Sequence, residues 1–224
     1  MTASAPRSDK ISTTVYASKV MIVDDHPLVR ERLAELINRE PDLIVAGETE
    51  DRNEALALIG SVEPLLVIVD LSLKTSLGFD LIKDLQAIHP RILILMVSMR
   101  DELIYAERCL RAGAHGYITK QQASRHVILA IRKVLSGEVY LSEVVTAQMI
   151  ERSTRNAIPR GESSISTLAD RELQVFELIG GGHGTKQIAE LLSLDVKTIE
   201  TYRGRIKDKL GLKDSSDLLQ QSIA

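Results

Sequence analysis

Apolar positions in this chain come by turns in short unbroken runs and in helical stripes. Lys19-Val20-Met21-Ile22-Val23, Leu65-Leu66-Val67-Ile68-Val69 and Arg91-Ile92-Leu93-Ile94-Leu95-Met96-Val97 are too short for helices and rich in β-branched residues. Such runs predict strands buried on both faces, hence a parallel sheet between helices. Residues 43–46 and 116–119 read as two further strands. Between the strands the apolar period lengthens. Pro27 opens a helix at its favoured first position, with Leu33, Leu36 and Ile37 on one face. Asp51 and Glu54 have capping-box spacing for a helix through Ile59. Amphipathic stretches follow over 79–88, around Leu103, Ala106, Leu110 and Ala112 up to Gly113, and from about 124 to Leu135, where Gly137 stops the helix. Five strand–helix units predict a doubly wound α/β domain of flavodoxin-like type with a five-stranded parallel sheet, over residues 19–137.

Past residue 138 the pattern is helical alone. Ser142 is placed to cap a helix over about 143–151. Residues 153–164 mix Ser, Pro, Gly and charges without an apolar period and predict a flexible linker, so 138–164 reads as a linker with one helix. From 165 to 224, helices are expected over about 170–178, over 186–192 capped by Thr185, over 196–210 capped by Asp195, and from Asp214. Two of these joined by a short turn, with helices on either side, predict a helix-turn-helix in a small all-α domain. The run Gly180-Gly181-Gly182-His183-Gly184 follows a helix and lacks the Gly-Lys-Ser/Thr ending of a phosphate loop, so it reads as a stop and a turn. Residues 1–18 lack the apolar core of a signal peptide and are expected to be a disordered tail.

Composition and charge narrow the class. With 224 residues the chain has room for two domains. Its single cysteine, Cys109, precludes an internal disulfide and fits a cytoplasmic location. No apolar run approaches the ~20 residues of a membrane span. The formal net charge of −3 excludes a polycation. From 164 onward eight cations face nine acids, yet six of the cations crowd into 197–213 against Glu200 and Asp208, which marks one basic face. Periodicity turns Ile199, Ile206 and Leu210 inward, with Tyr202 or Arg203 between them. It turns Lys197, Thr198, Glu200, Thr201 and Arg205 outward, where a helix in the major groove reads bases. Arg203, Lys207 and Lys209 are expected on phosphates, and Thr185 and Lys186 at the start of the preceding helix join the same interface.

The candidate chemistry lies at the strand ends: Asp24 and Asp25, Asp70, Ser98 and Lys120. In an open parallel sheet the crevice lies beyond the carboxyl ends of the strands. Taken singly, each residue has a plainer reading: a helix cap or turn for Asp70 and Ser98, an ion-pair partner of Asp70 for Lys120. Together they have the chemistry that a phosphoryl site would need. A carboxylate can accept a phosphoryl group covalently. Clustered carboxylates need a hard cation such as Mg²⁺, which joins protein oxygens to phosphate oxygens. A fixed ammonium and a hydroxyl can serve the phosphoryl oxygens. Asp25 and Asp70 are expected as direct ligands, with Asp24 direct or through water.

The set Asp24, Asp25, Asp70, Ser98 and Lys120 resembles the receiver domain of two-component response regulators, with Tyr117 at that family's aromatic switch position. Leu168-Ala-Asp-Arg-Glu172, Gln187-Ile-Ala-Glu190, Lys197-Thr-Ile-Glu200 and Ile206-Lys-Asp-Lys-Leu-Gly211 resemble the LuxR-type DNA-binding domain over nearly all of 165–224. Joined, the two are similar to response regulators of the NarL/FixJ class. The resemblance implies a sensor histidine kinase that phosphorylates Asp70 and a Mg²⁺ site completed by the backbone carbonyl of Ser72. It also implies repacking of Ser98 and Tyr117 on phosphorylation, and double-stranded DNA bound by a homodimer away from any membrane. Such a protein is a transcription regulator rather than an enzyme.

Three departures from the family pattern stand out. Leu73-Lys74 replaces a hydrophobic residue and Pro. Gln121 replaces a Pro, usually cis, after Lys120; a cis bond without proline costs ~2.5–4 kcal/mol, which leaves this isomer open. Ala169 replaces a Ser or Thr cap, a loss of ~1 kcal/mol unless Asp170 substitutes. The alternatives are a phosphorylation-independent dimerisation scaffold, an aspartate-nucleophile phosphatase, and an RNA-binding output. Against the phosphatase, Ser72 stands where a second Asp is usual. An RNA-binding output would not need the two-helix module.

Overall fold

The structure, a computed structural model, describes residues 17–73, 77–155 and 164–223. Five strands, β1 (Ser18–Val23), β2 (Leu43–Thr49), β3 (Leu66–Val69), β4 (Leu93–Ser98) and β5 (Gly116–Thr119), form one parallel sheet in the order β2-β1-β3-β4-β5. Helices α1 (Pro27–Asn38), α2 (Arg52–Val62), α3 (Gly78–Ile88), α4 (Glu102–Ala112) and α5 (Lys120–Leu135) alternate with them. Side-chain alternation along each strand splits the core in two. Val20, Ile22, Leu66, Ile68, Leu95 and Val97 meet Leu33 and Ile37 of α1 and Val127 and Ile131 of α5. Met21, Val23, Val67, Val69, Ile94 and Met96 share the opposite core with Ile59 of α2, Phe79 and Ile82 of α3 and Tyr105 of α4. Both faces are covered, which is why β3 and β4 carry no polar position before they end.

Register then places the chemistry. Val23 pairs with Val69 across β1 and β3, and the Asp70 amide donates to the Val23 carbonyl at 2.8 Å. Asp24 and Asp70 therefore leave the sheet side by side, at the point where the strand order reverses direction. The chain after Asp70 folds back tightly. A Cβ added at Gly78, the first residue of α3, would lie 2.3 Å from the Asp70 carbonyl oxygen and 2.9 Å from Leu71 Cα, so this return requires glycine. On the far edge of the sheet, the Tyr117 amide donates to the Tyr140 carbonyl at 2.9 Å and the Tyr140 amide to the His115 carbonyl at 3.2 Å.

Several boundaries differ from expectation. β1 begins at Ser18, inside the expected tail; residues 1–16 lie outside the described residues. β2 runs on to Thr49, because an edge strand tolerates the polar Glu48 and Thr49 that end the apolar pattern. Asp51 caps α2 by accepting from the Asn53 and Glu54 amides, but Glu54 turns its carboxylate to Thr49 Oγ1 at 2.6 Å instead of closing the box. α5 begins at Lys120, well before residue 124, with Thr119 Oγ1 accepting from the Gln122 amide. A proline in place of Gln121 would have pushed Lys120 out of the helical region; glutamine does not. No peptide bond among the described residues is cis, so the Lys120–Gln121 bond is trans.

The rest of the chain is helical: α6 (Glu143–Arg155), a 3₁₀ turn (Ser164–Thr167), α7 (Asp170–Gly180), α8 (Thr185–Leu191), α9 (Val196–Leu210) and α10 (Ser215–Ile223). Ser142 Oγ accepts from the Val145 amide at 3.2 Å, and α6 runs to Arg155, into the expected linker, of which 156–163 lie outside the described residues. α7 to α10 pack around Leu173, Phe176, Ile188, Ile199, Ile206 and Leu218. A Cβ at Gly180 would lie 2.1 Å from the Ser222 carbonyl oxygen, so α10 lies directly on α7. Two caps differ from the expected ones. Gly184, not Thr185, caps α8, because Gln187 Oε1 takes the Gly184 amide at 2.9 Å. At α7 the group that compensates for Ala169 is Glu172, whose carboxylate accepts the Ala169 amide at 2.8 Å, and not Asp170. Asp195 sits at the cap of α9 without a side-chain cap bond. No helix among the described residues is long and apolar enough to cross a membrane.

Candidate phosphoryl site and nucleic-acid interface

Asp24 and Asp70 are buried, 1% and 2% exposed, and Asp25 is half-buried beside them. Lys120 Nζ donates to Asp70 Oδ2 at 2.7 Å and lies 2.7 Å from Asp24 Oδ2. Burial pushes the Asp70 carboxyl above the usual carboxylate range, against the Lys120 hydrogen bond and with the Asp24 charge adding to the rise. Burial alone would lower the Lys120 ammonium, but its hydrogen bonds to Asp24 and Asp70 outweigh that and raise it. Lys120 is thus a fixed cation. Asp70 Oδ1 is buried and has no hydrogen-bond partner. One oxygen from each of Asp24, Asp25 and Asp70 and one ring nitrogen of His26 lie within 4.8 Å of one another. Three carboxylates against one ammonium leave excess negative charge, which a divalent cation fits. Ser72 follows in the loop, and its Oγ accepts from Arg100 Nε at 3.3 Å.

Ser98 and Tyr117 are brought together through a residue the sequence did not flag. Ser98, fully buried at the end of β4, accepts the Arg100 amide at 3.3 Å on its Oγ. Tyr117, also buried, donates its hydroxyl to the Arg100 carbonyl at 2.9 Å. Burial raises the Tyr117 phenol well above its ordinary value, so it remains a donor. The Arg100 side chain then reaches α7, where Nη1 lies 2.7 Å from Glu177 Oε2. The Tyr105 hydroxyl of α4 donates to the same carboxylate. Burial raises the Glu177 carboxyl, with Tyr105 and Arg100 opposing. Nearby, Arg108 donates to the Leu168 carbonyl at 2.7 Å and the Ile165 carbonyl at 3.3 Å, and Arg171 donates to Asp80 at 2.6 Å. The apolar core on the α2–α4 side is continuous with that of the helical domain. The two domains are therefore docked, through α3 and α4 on one side and α7 on the other.

On α9, the expected reading helix, Lys197, Glu200, Thr201 and Arg205 are exposed and Thr198 is half-buried, while Ile199 and Ile206 are fully buried. Tyr202, Arg203, Lys207 and Leu210 are half-buried. Thr201 Oγ1 donates back to the Lys197 carbonyl at 2.9 Å. Lys186 is exposed on α8 and shares a shallow groove with Asp195 and Val196, and Thr185 is half-buried at the start of that helix. Lys209 is engaged inside the domain: its Nζ donates to Glu172 Oε2 at 2.6 Å and to the Thr167 carbonyl at 3.2 Å. Helical periodicity marks Lys209 as a surface cation and carries no sign of this partner, which lies on α7.

Comparison with known proteins agrees with both halves. Residues 20–132 match the family described as response regulator receiver domain, and residues 166–221 match bacterial regulatory proteins, luxR family. The chain is 32% identical over 209 residues to the oxygen regulatory protein NreC of Staphylococcus aureus (strain MRSA252), covering 92% of this chain and 96% of that protein. It is 32% identical over 200 residues to the response regulator GacA of Pseudomonas protegens, covering 89% and 92%. In fold it is similar to RcsB of Salmonella enterica serovar Typhimurium, solved on the promoter rprA with the phosphomimetic BeF3⁻, with a TM-score of 0.68 at 23% identity over 93% of this chain and 100% of that one.

Proposed function

As the chain belongs to the response regulators that join a receiver domain to a LuxR-family DNA-binding domain, we propose that phosphoryl transfer from a sensor histidine kinase to Asp70 controls its binding to promoter DNA. The receiver is assigned to 18–137, since β1 begins at Ser18, the linker to 138–164 and the DNA-binding domain to 165–224. The observation that carries the reading is the state of Asp70: buried at a strand end, one oxygen held by Lys120 at 2.7 Å, the other without a partner.

Asp70 Oδ1 attacks the phosphorus of the kinase phosphohistidine. The O–P bond forms as the P–N bond breaks, and the imidazole keeps the electron pair. Asp25 and Asp70, with Asp24 directly or through water and the Ser72 carbonyl, would hold Mg²⁺. When bound, that ion offsets the charge of the carboxylates and of the incoming phosphoryl oxygens. Lys120 exchanges part of its bond to Asp70 for a phosphoryl oxygen, and the Ser98 hydroxyl turns to another. That turn frees the Arg100 amide, which Ser98 holds at 3.3 Å. Arg100 and the Tyr117 hydroxyl bonded to it then shift, and the Arg100–Glu177 contact loosens. DNA is contacted by Lys197, Thr198, Glu200, Thr201 and Arg205 in the major groove, with Arg203, Lys207, Thr185 and Lys186 on the backbone. Lys209 turns to phosphate only by leaving Glu172. A homodimer in the cytoplasm is the form expected on DNA; that RcsB, similar in fold, was solved as two dimers bound to two parallel DNAs supports the dimer.

Acetyl phosphate with Mg²⁺ should label wild type and not Asp70→Asn, and EDTA should abolish labelling. In fluorescence anisotropy, beryllofluoride should change the DNA affinity of the full chain. Equal labelling of Asp70→Asn, or one DNA affinity and one oligomeric state with and without beryllofluoride, would overturn the reading in favour of a phosphorylation-independent scaffold.

A further inference from the structure

His26 has no part in the reaction above, yet among the described residues its ring nitrogen joins the carboxylate oxygens as a potential cation ligand. We propose that His26 is a cation-selecting ligand: its Nδ1 joins Asp24, Asp25 and Asp70, so that the pocket takes Mn²⁺ or Co²⁺ in preference to Mg²⁺. The inference rests on the pocket being a cation site and adds a residue to it.

His26 is the residue before α1, in extended backbone (φ −96°, ψ 106°), with Pro27 fixing the first helical position. Its side chain makes no cap bond to the helix, so the ring is not committed there. Its backbone amide donates to Asp24 Oδ1 at 2.9 Å, which anchors the residue over the pocket. Nδ1 then lies 2.6 Å from Asp25 Oδ1, 3.2 Å from Asp24 Oδ1 and 3.9 Å from Asp70 Oδ2. Lys120 Nζ stands 3.4 Å from the same nitrogen, itself held by Asp24 and Asp70. Ligands on opposite sides of a small divalent cation, each at ~2.0–2.3 Å, are ~4–4.6 Å apart, close to the 4.8 Å that bounds the four donor atoms. An independent observation also points to a ligand: buried Asp70 Oδ1, in the same cluster, has no hydrogen-bond partner.

The donor set decides the selectivity. Oxygen donors alone suit Mg²⁺, which keeps several waters and dehydrates reluctantly. An imidazole nitrogen strengthens binding along the series from Mn²⁺ to Co²⁺ and Ni²⁺, and does little for Mg²⁺. The ring is 58% exposed, so replacing it removes a donor without opening the core.

The test uses the full-length chain as wild type, His26→Ala and His26→Gln, with circular dichroism melts to confirm that each is folded. Mn²⁺ bound to protein labelled with ¹⁵N-histidine is examined by electron spin-echo modulation, and Co²⁺ and Mg²⁺ affinities are measured by titration and competition. The label should alter the modulation in wild type and in neither variant. His26→Ala should lose at least about tenfold in Co²⁺ affinity, the scale of losing a metal-site partner, with a much smaller change for Mg²⁺. Wild type that binds Mn²⁺ with no histidine nitrogen, or a Co²⁺-to-Mg²⁺ ratio unchanged in His26→Ala, overturns the role of His26 alone. Wild type that binds no divalent cation overturns the cation reading of the pocket and this inference with it.

Discussion

Glu177→Ala should undock the two domains without unfolding either. Glu177 takes an ion pair from Arg100 at 2.7 Å and a hydrogen bond from Tyr105. The paired side chains are 36% and 24% exposed, so water screens the charge–charge part, leaving it near the ~0.2–1 kcal/mol of exposed pairs. Tyr105 adds more. It is buried, 5% exposed, and once deprived of its acceptor it keeps its desolvation cost; hydrogen bonds to charged groups are worth ~1.5–3 kcal/mol. The sum for docking is about 2 kcal/mol, roughly a 30-fold shift toward the released form at tenfold per 1.4 kcal/mol. The Arg108 and Arg171 contacts remain, so release is partial. Amide hydrogen exchange reads this directly: α4 and α7 should exchange faster by up to about that factor, while β1 and β3 stay protected. DNA affinity without beryllofluoride should move toward that of the beryllofluoride-treated wild type. If exchange in α4 and α7 and the DNA affinity both match wild type, Glu177 carries no signal between the domains.

Four further outcomes are expected. Because the Glu177 carboxyl is raised by burial in the docked chain, docking holds the proton more tightly than release does. Docking should therefore be strongest below the ordinary value of 4.5 and weaken as pH rises through the raised one; α4 exchange followed across pH should show this in wild type and lose it in Glu177→Gln. Gly78→Ala forces a Cβ to 2.3 Å from the Asp70 carbonyl oxygen, so urea unfolding should show a loss of about 3 kcal/mol, the upper end for overpacking, together with poor labelling of Asp70. Lys209→Ala leaves the carboxylate of Glu172 buried with only the Ala169 amide, so it should destabilise the DNA-binding domain by about 1–3 kcal/mol; Arg203→Ala should instead flatten the salt dependence of DNA binding, as titrations at several salt concentrations will show.

The sheet and its site were legible for one physical reason. A strand buried on both faces has no polar position until it ends, so Asp24, Asp70 and Ser98 announce both the strand end and the crevice. Backbone propensity also explains what was missed at Lys120: a reading that waits for the next apolar period starts α5 at residue 124, whereas the Thr119 cap, followed by Gln121 rather than a proline, allows it at once. Caps were ambiguous because Glu172 and Gln187, three residues along, do the work that a Ser or Thr would have done at Ala169 and Gly184. What no local pattern could show is partnership across the fold. Arg100 looks like a solvated loop residue, Glu177 like one of nine acids and Lys209 like one of eight cations; each acquires its role only from a neighbour on another element. His26 was within reach, since it directly follows the Asp pair, but the inward aim of its ring depends on three carboxylates meeting at one place.

The backbone of Tyr140 on the edge of β5 gives the receiver a second way out. Tyr117 is gripped twice, by its hydroxyl at Arg100 and by its amide at the Tyr140 carbonyl, and just beyond Tyr140 begins α6. One wire runs sideways through a guanidinium to α7; the other runs along the covalent chain and needs no docking at all. Under the proposed phosphorylation switch, cutting the first leaves the second connected, so damage at the interface should dim the response rather than extinguish it.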